Sequence, residues 1–417
     1  MSVIISKSTL SQILFTLCIA VPYLNIYELT FAVWSIACIA TFQKSYSLII
    51  LKHISFFVII IGIAFVVMFF NNYKAYYIIR DITYMLKPII GLLLGYQLCK
   101  NNSKKAFQSI VYTGVFIASI HLIILLYAFF MHHVVTVNDL RFYGGYFSDF
   151  EIYVLIILLF SKKFELGFIK SRLYLFITLV GVSSFFYLAR TNFIQFGILF
   201  LAMKGYFKID KTSIRVILTL ILTVIIGYST ILFINPKRNG AGIEAFLYKI
   251  KIAPIEPFKT KINVENWKDF NDNYRSYENI LTVKQVTNKG TTAVIFGEGI
   301  GSKIDLKREV YLGDMMLRYI SILHNGFMTV FLKSGLLGVL VYLYFIYSLF
   351  RQIRSEILII QTINLLFVGT AVFLILSSWV FMGVYNLLDN KSILIGFIIC
   401  YREITNKKAI TENRKND

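Results

Sequence analysis

Charge is the scarcest property of this sequence. Only 15% of its 417 residues are charged, 57% are hydrophobic, and mean hydropathy is +0.70. A soluble chain of this length needs far more polar surface, so a soluble globular protein is excluded. The alternating segments of a β-barrel are absent too; apolar runs near the ~20 residues of a membrane-spanning helix recur instead. Acidic residues are rarer than basic ones, 22 Asp and Glu against 42 Lys and Arg, a net +20. In a soluble protein that excess suggests nucleic acid. Here it is assigned to basic cytoplasmic loops, and no nucleic-acid partner is expected. Cysteine is limited to Cys18, Cys38, Cys99 and Cys400, all in or beside apolar runs. No disulfide framework follows, and there is no Cys/His cluster with metal spacing, so neither metal nor cofactor is expected. No small-residue cleavage site follows the first apolar run, whose one preceding lysine is Lys7. That run is expected to be a retained helix and not a signal peptide.

The apolar runs predict helices over 9–24, 27–42, 54–70, 82–99, 106–130, 146–160, 173–189, 192–207, 216–234, 325–350, 357–380 and 384–401. The expected fold is all-α: a polytopic transmembrane helical bundle of about twelve helices forming a single integral membrane domain, residues 1–417. One set of short connections holds 15 basic residues, among them Lys44, Lys100, Lys162, Lys204 and Arg351; the alternate set holds five: Lys74, Arg80, Arg141, Arg190 and Lys391. The richer set is cytoplasmic by the positive-inside rule. Both termini are then inside, and the polar tail 402–417 is a disordered cytoplasmic segment.

Residues 235–324 are the only long stretch that is not hydrophobic, with 14 basic and 10 acidic residues and three of the five prolines in its first third. The topology places it outside, as an extracytoplasmic loop too short and polar for a large core of its own. It is expected to pack over the outer mouth of the bundle. Gly242–Ile252, Asn279–Val286 and Asp314–Leu323 read as short helices within it. Gly297-Glu-Gly-Ile-Gly301 lacks the βαβ context and the Lys-Ser/Thr of a phosphate loop, and reads as a tight turn.

Outer-side arginines are the most informative residues, because short outer loops normally avoid them. Arg190 sits at a tight turn between two helices. It either snorkels to lipid phosphate or aims a fork of donors at a phosphate or diphosphate. Arg141 precedes the pair Gly144-Gly145. Arg80 stands beside Asp81, the expected partner. His324-Asn325 opens a helix; Asn325 is a good cap, and the His324 imidazole at the rim can exchange a proton with a hydroxyl. His132 and His133 read as structural. Lys333, inside a helix, is expected to face the bundle interior. The helices otherwise show no chain of interior acids of the kind an ion-coupled transporter uses.

Four pieces in order, over about residues 175–345, make the chain resemble the O-antigen ligase/polymerase superfamily of bacterial envelope enzymes. They are the Ala189-Arg190-Thr191 turn, Arg275-Ser-Tyr-Glu278 in the long loop, Phe296-Gly-Glu-Gly-Ile-Gly301, and the helix from His324-Asn325 to Gly335-Leu-Leu-Gly338. Ala189 stands where many members have serine. The resemblance implies an undecaprenyl-diphosphate-linked oligosaccharide as donor, without metal or nucleotide sugar. It implies a catalytic set of Arg190, Arg275 and His324, with Arg141, Tyr277, Glu278 and Asn325 contacting substrate and Glu278 a second candidate base. The bilayer and a chain-length regulator protein are the further candidate partners. The expected location is the bacterial inner membrane, with the active site facing the periplasm. Polymerase and ligase differ in acceptor, a lipid-linked repeat unit or a lipid A core; the aromatic and polar stretch 267–278 suits a sugar surface and favours polymerase. A lipid-glycan flippase is the alternative of another class, in which the arginines only steer substrate.

Overall fold

The computed structural model describes residues 6–134, 136–238, 243–256, 258–312, 315–386 and 388–416. Apart from one two-stranded hairpin, its regular elements are helices. In chain order they are α1 (Lys7–Ala20), α2 (Tyr27–Ala40), α3 (Leu48–Met68), α4 (Ala75–Asn101), α5 (Ala106–His132), α6 (Val137–Gly144), α7 (Asp149–Leu159), α8 (Lys170–Phe186), α9 (Arg190–Lys204) and α10 (Lys211–Ile234). The polar interval forms α11 (Ile243–Ile252), α12 (Trp267–Asp272), α13 (Tyr274–Asn288), α14 (Thr291–Phe296), β1 (Ile304–Leu312) and β2 (Met315–Ile320). The chain ends in α15 (Gly326–Phe350), α16 (Leu358–Phe381) and α17 (Lys391–Asn416).

Every expected long helix is present, although the last starts only at Lys391, after a turn capped by the Asp389 carboxylate on the Lys391 and Ser392 amides. Among the described residues, seven spans are long and apolar enough to cross a membrane: Lys7–Leu24, Leu48–Met68, Ala75–Asn101, Ser103–His132, Lys211–Ile234, Gly326–Phe350 and Leu358–Phe381. Large apolar side chains stand exposed on the bundle's outside, most continuously on α10, where Leu218, Leu222, Val224 and Phe233 find no protein neighbour to cover them.

Helix α4 is the central column, and α17 is its main partner. Their backbones touch because each offers glycine at the crossing. A Cβ on Gly95 would lie 2.0 Å from the Ile393 carbonyl oxygen, and one on Gly396 would lie 2.0 Å from that of Leu92. Small residues at such crossings let the two backbones approach closely enough to gain dispersion contacts along their length. Helix α17 then runs on to Asn416, so the segment from Arg402 is helical where composition suggests disorder. Its start is held inside: the Arg402 guanidinium lies 4.5 Å from the Phe367 ring and donates to Asn364 at 3.1 Å, and Glu403 accepts from Lys407 at 2.6 Å. A held first turn removes the nucleation cost for the rest.

The two ends of the bundle are chemically distinct. At one, Gln43 meets Asn101, Lys100 reaches the Ser45 carbonyl, and Lys163 reaches that of Met203. This is the lysine-rich set. At the other, Tyr23 meets Ser148, Tyr73 reaches the Glu298 carbonyl, and the Met382 amide donates to the His324 carbonyl.

The polar interval folds onto this second end, as expected. Its small core of Phe270, Tyr277, Val286 and Ile304 continues into Phe331 and Leu332 of α15. The stretch expected to be helical over Asp314–Leu323 is instead strand β2, antiparallel to β1; Asp314 itself lies outside the described residues, as does Gly242 of the first expected short helix. A partner strand decides the matter: Arg318 reaches across to Asp305 with two bonds of 2.9 and 3.1 Å. The other two short helices form as α11 and α13.

The glycine cluster is the expected tight turn, and its purpose is visible in α15. That helix kinks at Gly335 (φ 65°), which frees the Leu332 and Lys333 carbonyls from their helical partners. Glu298 and Gly299 donate their amides to these two oxygens at 2.8 and 3.0 Å. Gly297, Gly299 and Gly301 all have φ between 81° and 90°. A Cβ on Gly297 would meet the Ser334 amide at 2.5 Å, so a side chain is excluded on both counts.

Lys333 faces the interior, as expected, and its partner is Asp81 at 2.5 Å, with both side chains at most 2% exposed. Asp81 therefore does not pair with Arg80. Asp81 points inward from α4, where it also accepts from the Gly301 amide at 2.8 Å; Arg80 points outward, lies over Tyr76 and Tyr77, and donates to Ser321 at 2.5 Å. A second buried group joins Lys391 to Asp149 and Asp389, while Glu151 accepts from Tyr187 at 2.9 Å. The interior thus holds more acids than the apolar runs suggest, and these are bonded to neighbours and packed.

Candidate active site

Leu188 adopts a left-handed backbone (φ 48°) that reverses the chain between α8 and α9 and sets Arg190 at the first position of α9. The Arg190 guanidinium donates to the Lys249 carbonyl and lies 3.8 Å from a Glu256 carboxylate oxygen. Arg275, one residue into α13, places its Nη1 3.2 Å from the other Glu256 oxygen. Two arginines far apart in sequence therefore share one carboxylate at the loop end of the bundle. Both remain partly open to the surface, with side-chain exposures of 29% and 22%.

The surroundings are cationic. Burial, then neighbouring Arg141, Arg190 and Arg238, hold the Lys249 ammonium below its ordinary range. Arg141, on α6, lies 5.4 Å from the Tyr146 ring, and its buried Nε has no partner among the described residues. The positive end of the α9 dipole adds to the same field.

His324 is held on three sides. Its Nδ1 lies 3.0 and 3.1 Å from the two Glu278 oxygens, its amide donates to Glu278 at 3.0 Å, and its carbonyl accepts from Met382 at 3.1 Å. The Tyr274 ring meets the imidazole edge-on at 5.8 Å. The pair is asymmetric: the His324 side chain is 43% exposed and that of Glu278 1%. A neutral imidazole donating from Nδ1 to this carboxylate presents its Nε2 lone pair outward, the tautomer assigned from the hydrogen bond.

Arg275 and His324 border the same turn. Arg275 and Glu278 are three residues apart on α13, hence on one helix face. The Arg275 guanidinium lies 5.9 Å from the Phe381 ring, next to the Met382 whose amide holds His324.

The other sequence candidates are placed differently. Tyr277 is buried in the loop's core and donates to the Leu306 carbonyl at 2.6 Å, so it faces away from any open surface. Glu278 is too enclosed to meet a substrate and is placed to orient His324. Asn325 caps α15, accepting from the Met328 amide at 3.1 Å, and is itself buried. Three groups escape sequence reasoning: Glu256, the Lys249 carbonyl and the 381–382 turn. Only Glu256 leaves a trace, an acid in Pro254-Ile-Glu-Pro257, and nothing in its spacing connects it to either arginine. Replacing Glu278 by alanine is expected to lower any turnover at His324 by about 10²-fold, the scale of a mispositioned general base. Product formation at the parent rate would show that the imidazole needs no support. Compared with protein-family models, curated proteins and solved structures, the chain matches none.

Proposed function

We propose that this chain is a bacterial inner-membrane polysaccharide polymerase, moving glycan from an undecaprenyl-diphosphate donor to a lipid-linked acceptor repeat at the outer face. In this reading twelve helices cross the membrane, the lysine-rich end is cytoplasmic, and the exposed apolar flank of α10 faces lipid. The observation that carries it is the meeting of Arg190 and Arg275 at one carboxylate, beside an outward imidazole braced by Glu278.

The chemistry is one displacement. The donor diphosphate lies across the two guanidinium forks, its polyprenyl tail in the membrane. An acceptor sugar hydroxyl attacks the anomeric carbon; its proton passes to His324 Nε2, and the bond from that carbon to the diphosphate oxygen breaks. Negative charge grows on the departing diphosphate, so the arginines hold the transition state more tightly than the ground state. A single displacement inverts the anomeric centre. Transport is the weaker reading, because it needs polar groups lining a path, whereas Asp81 with Lys333 and Asp149 with Lys391 are sealed pairs.

The test is a glycan gel of a strain lacking the gene. Lipopolysaccharide or capsule stopped at one repeat supports the polymerase. Long glycan stranded on the carrier lipid shifts the assignment to ligase, and no outer-face glycan shifts it to flippase.

A further inference from the structure

We propose that Glu256 is a displaceable counter-ion that closes the arginine pair and yields it to a diphosphate. The proposal rests on the polymerase reading for the identity of the anion and on the geometry alone for the displacement.

The Glu256 carboxylate occupies the space between the two guanidiniums, 3.2 Å from Arg275 and 3.8 Å from Arg190. The longer distance exceeds a charge-assisted hydrogen bond, so the grip on Arg190 is loose. The charges do not balance either. One carboxylate faces two guanidiniums, and Arg141 lies within the field of Arg190. The arginine pair keeps a positive excess over that single carboxylate. A diphosphate carries more charge and more terminal oxygens, and can engage both forks in bidentate fashion.

The backbone at Glu256 is held by bonds separate from those of its side chain. The Glu256 amide donates to the Ile252 carbonyl at 2.9 Å, and Ser276 donates its hydroxyl to the Glu256 carbonyl. Among the described residues the carboxylate's partners are the two arginines, and it reaches the surface with 13% exposure. Rotation about its own side-chain bonds clears the pocket without moving α11 or α13. Every anion entering must displace the carboxylate, so apparent affinity is lowered by the same factor for each. Discrimination comes from the bared arginines, whose two forks favour a diphosphate over a monophosphate, and Glu256 sets the threshold that a weakly bound anion does not pass.

The experiment is calorimetric titration of inorganic pyrophosphate, and separately of inorganic phosphate, into the purified full chain in detergent. E256Q is expected to bind pyrophosphate about tenfold more tightly than the parent, which corresponds to about 1.4 kcal/mol, and R190A or R275A in that background to lose the binding. E256D, which keeps the charge but withdraws it by one methylene, is expected to fall between parent and E256Q, and it serves if E256Q fails to fold. Unchanged or weaker binding in these variants overturns the proposal and makes Glu256 an orienting residue. Tightening in a chain whose loss leaves polysaccharide normal refutes the polymerase reading and keeps the counter-ion. Lost polysaccharide without tightening does the reverse.

Discussion

Arg275→Ala is expected to lower polysaccharide elongation by about 10²–10³-fold, the usual effect of removing one preorganised donor from a developing negative charge. Arg190→Ala is expected to do the same. The two should not add, because both guanidiniums act on one leaving group and share one carboxylate. Arg275→Lys retains the charge but presents a point instead of a planar fork, so it should recover little. The measurement is ladder length in a gene-deletion strain carrying each variant, with membrane-fraction protein levels matched. Full ladders from Arg275→Ala would remove that residue from the chemistry; full ladders from Arg275→Lys alone would reduce its role to charge.

The largest stability effect is expected at Lys333. Lys333→Met leaves Asp81 buried with, among the described residues, the Gly301 amide as its one remaining partner, and breaking such a pair costs about 3–5 kcal/mol. The variant should accumulate poorly and lose thermal stability in detergent. The double variant D81N/K333M should recover most of the loss, since the amide oxygen still accepts from Gly301 and no charge is left buried. A single Lys333→Met protein that melts like the parent would mean that the interior around Asp81 is wet and the pair dispensable.

The pair also shows where sequence reading stops. That Lys333 faces inward is legible from its place in an apolar helix, because a lone ammonium in lipid is costly. Which acid meets it is not, because Asp81 is 252 positions away and its neighbour Arg80 is the obvious partner. The α4 geometry sends the two side chains to opposite sides. Apolar run length marks where the long helices lie but not their ends: α3 and α4 begin at Leu48 and Ala75, six and seven residues before the expected starts at 54 and 82, and α17 begins only after the Asp389 cap. Strand β2 was lost because its pairing with β1, and not its own sequence, selects the strand. At the candidate site, Arg190 and His324 stand out in the sequence by residue type and sidedness and Arg275 only through the family resemblance, whereas Tyr277 and Asn325, expected beside them, point into the loop's core or cap a helix. Glu256 was missed because a carboxylate gains meaning only from the two arginines folded around it.

The central claim is that one outer-face pocket, built from Arg190, Arg275 and His324, transfers glycan off a lipid diphosphate. Its most direct measurement is reconstitution of the purified chain in liposomes with undecaprenyl-diphosphate-linked repeat units and no nucleotide sugar. The account predicts glycans of several repeats together with released undecaprenyl diphosphate, both lost in His324→Ala. Substrate that crosses the bilayer without lengthening, or lengthening that survives His324→Ala unchanged, would contradict it.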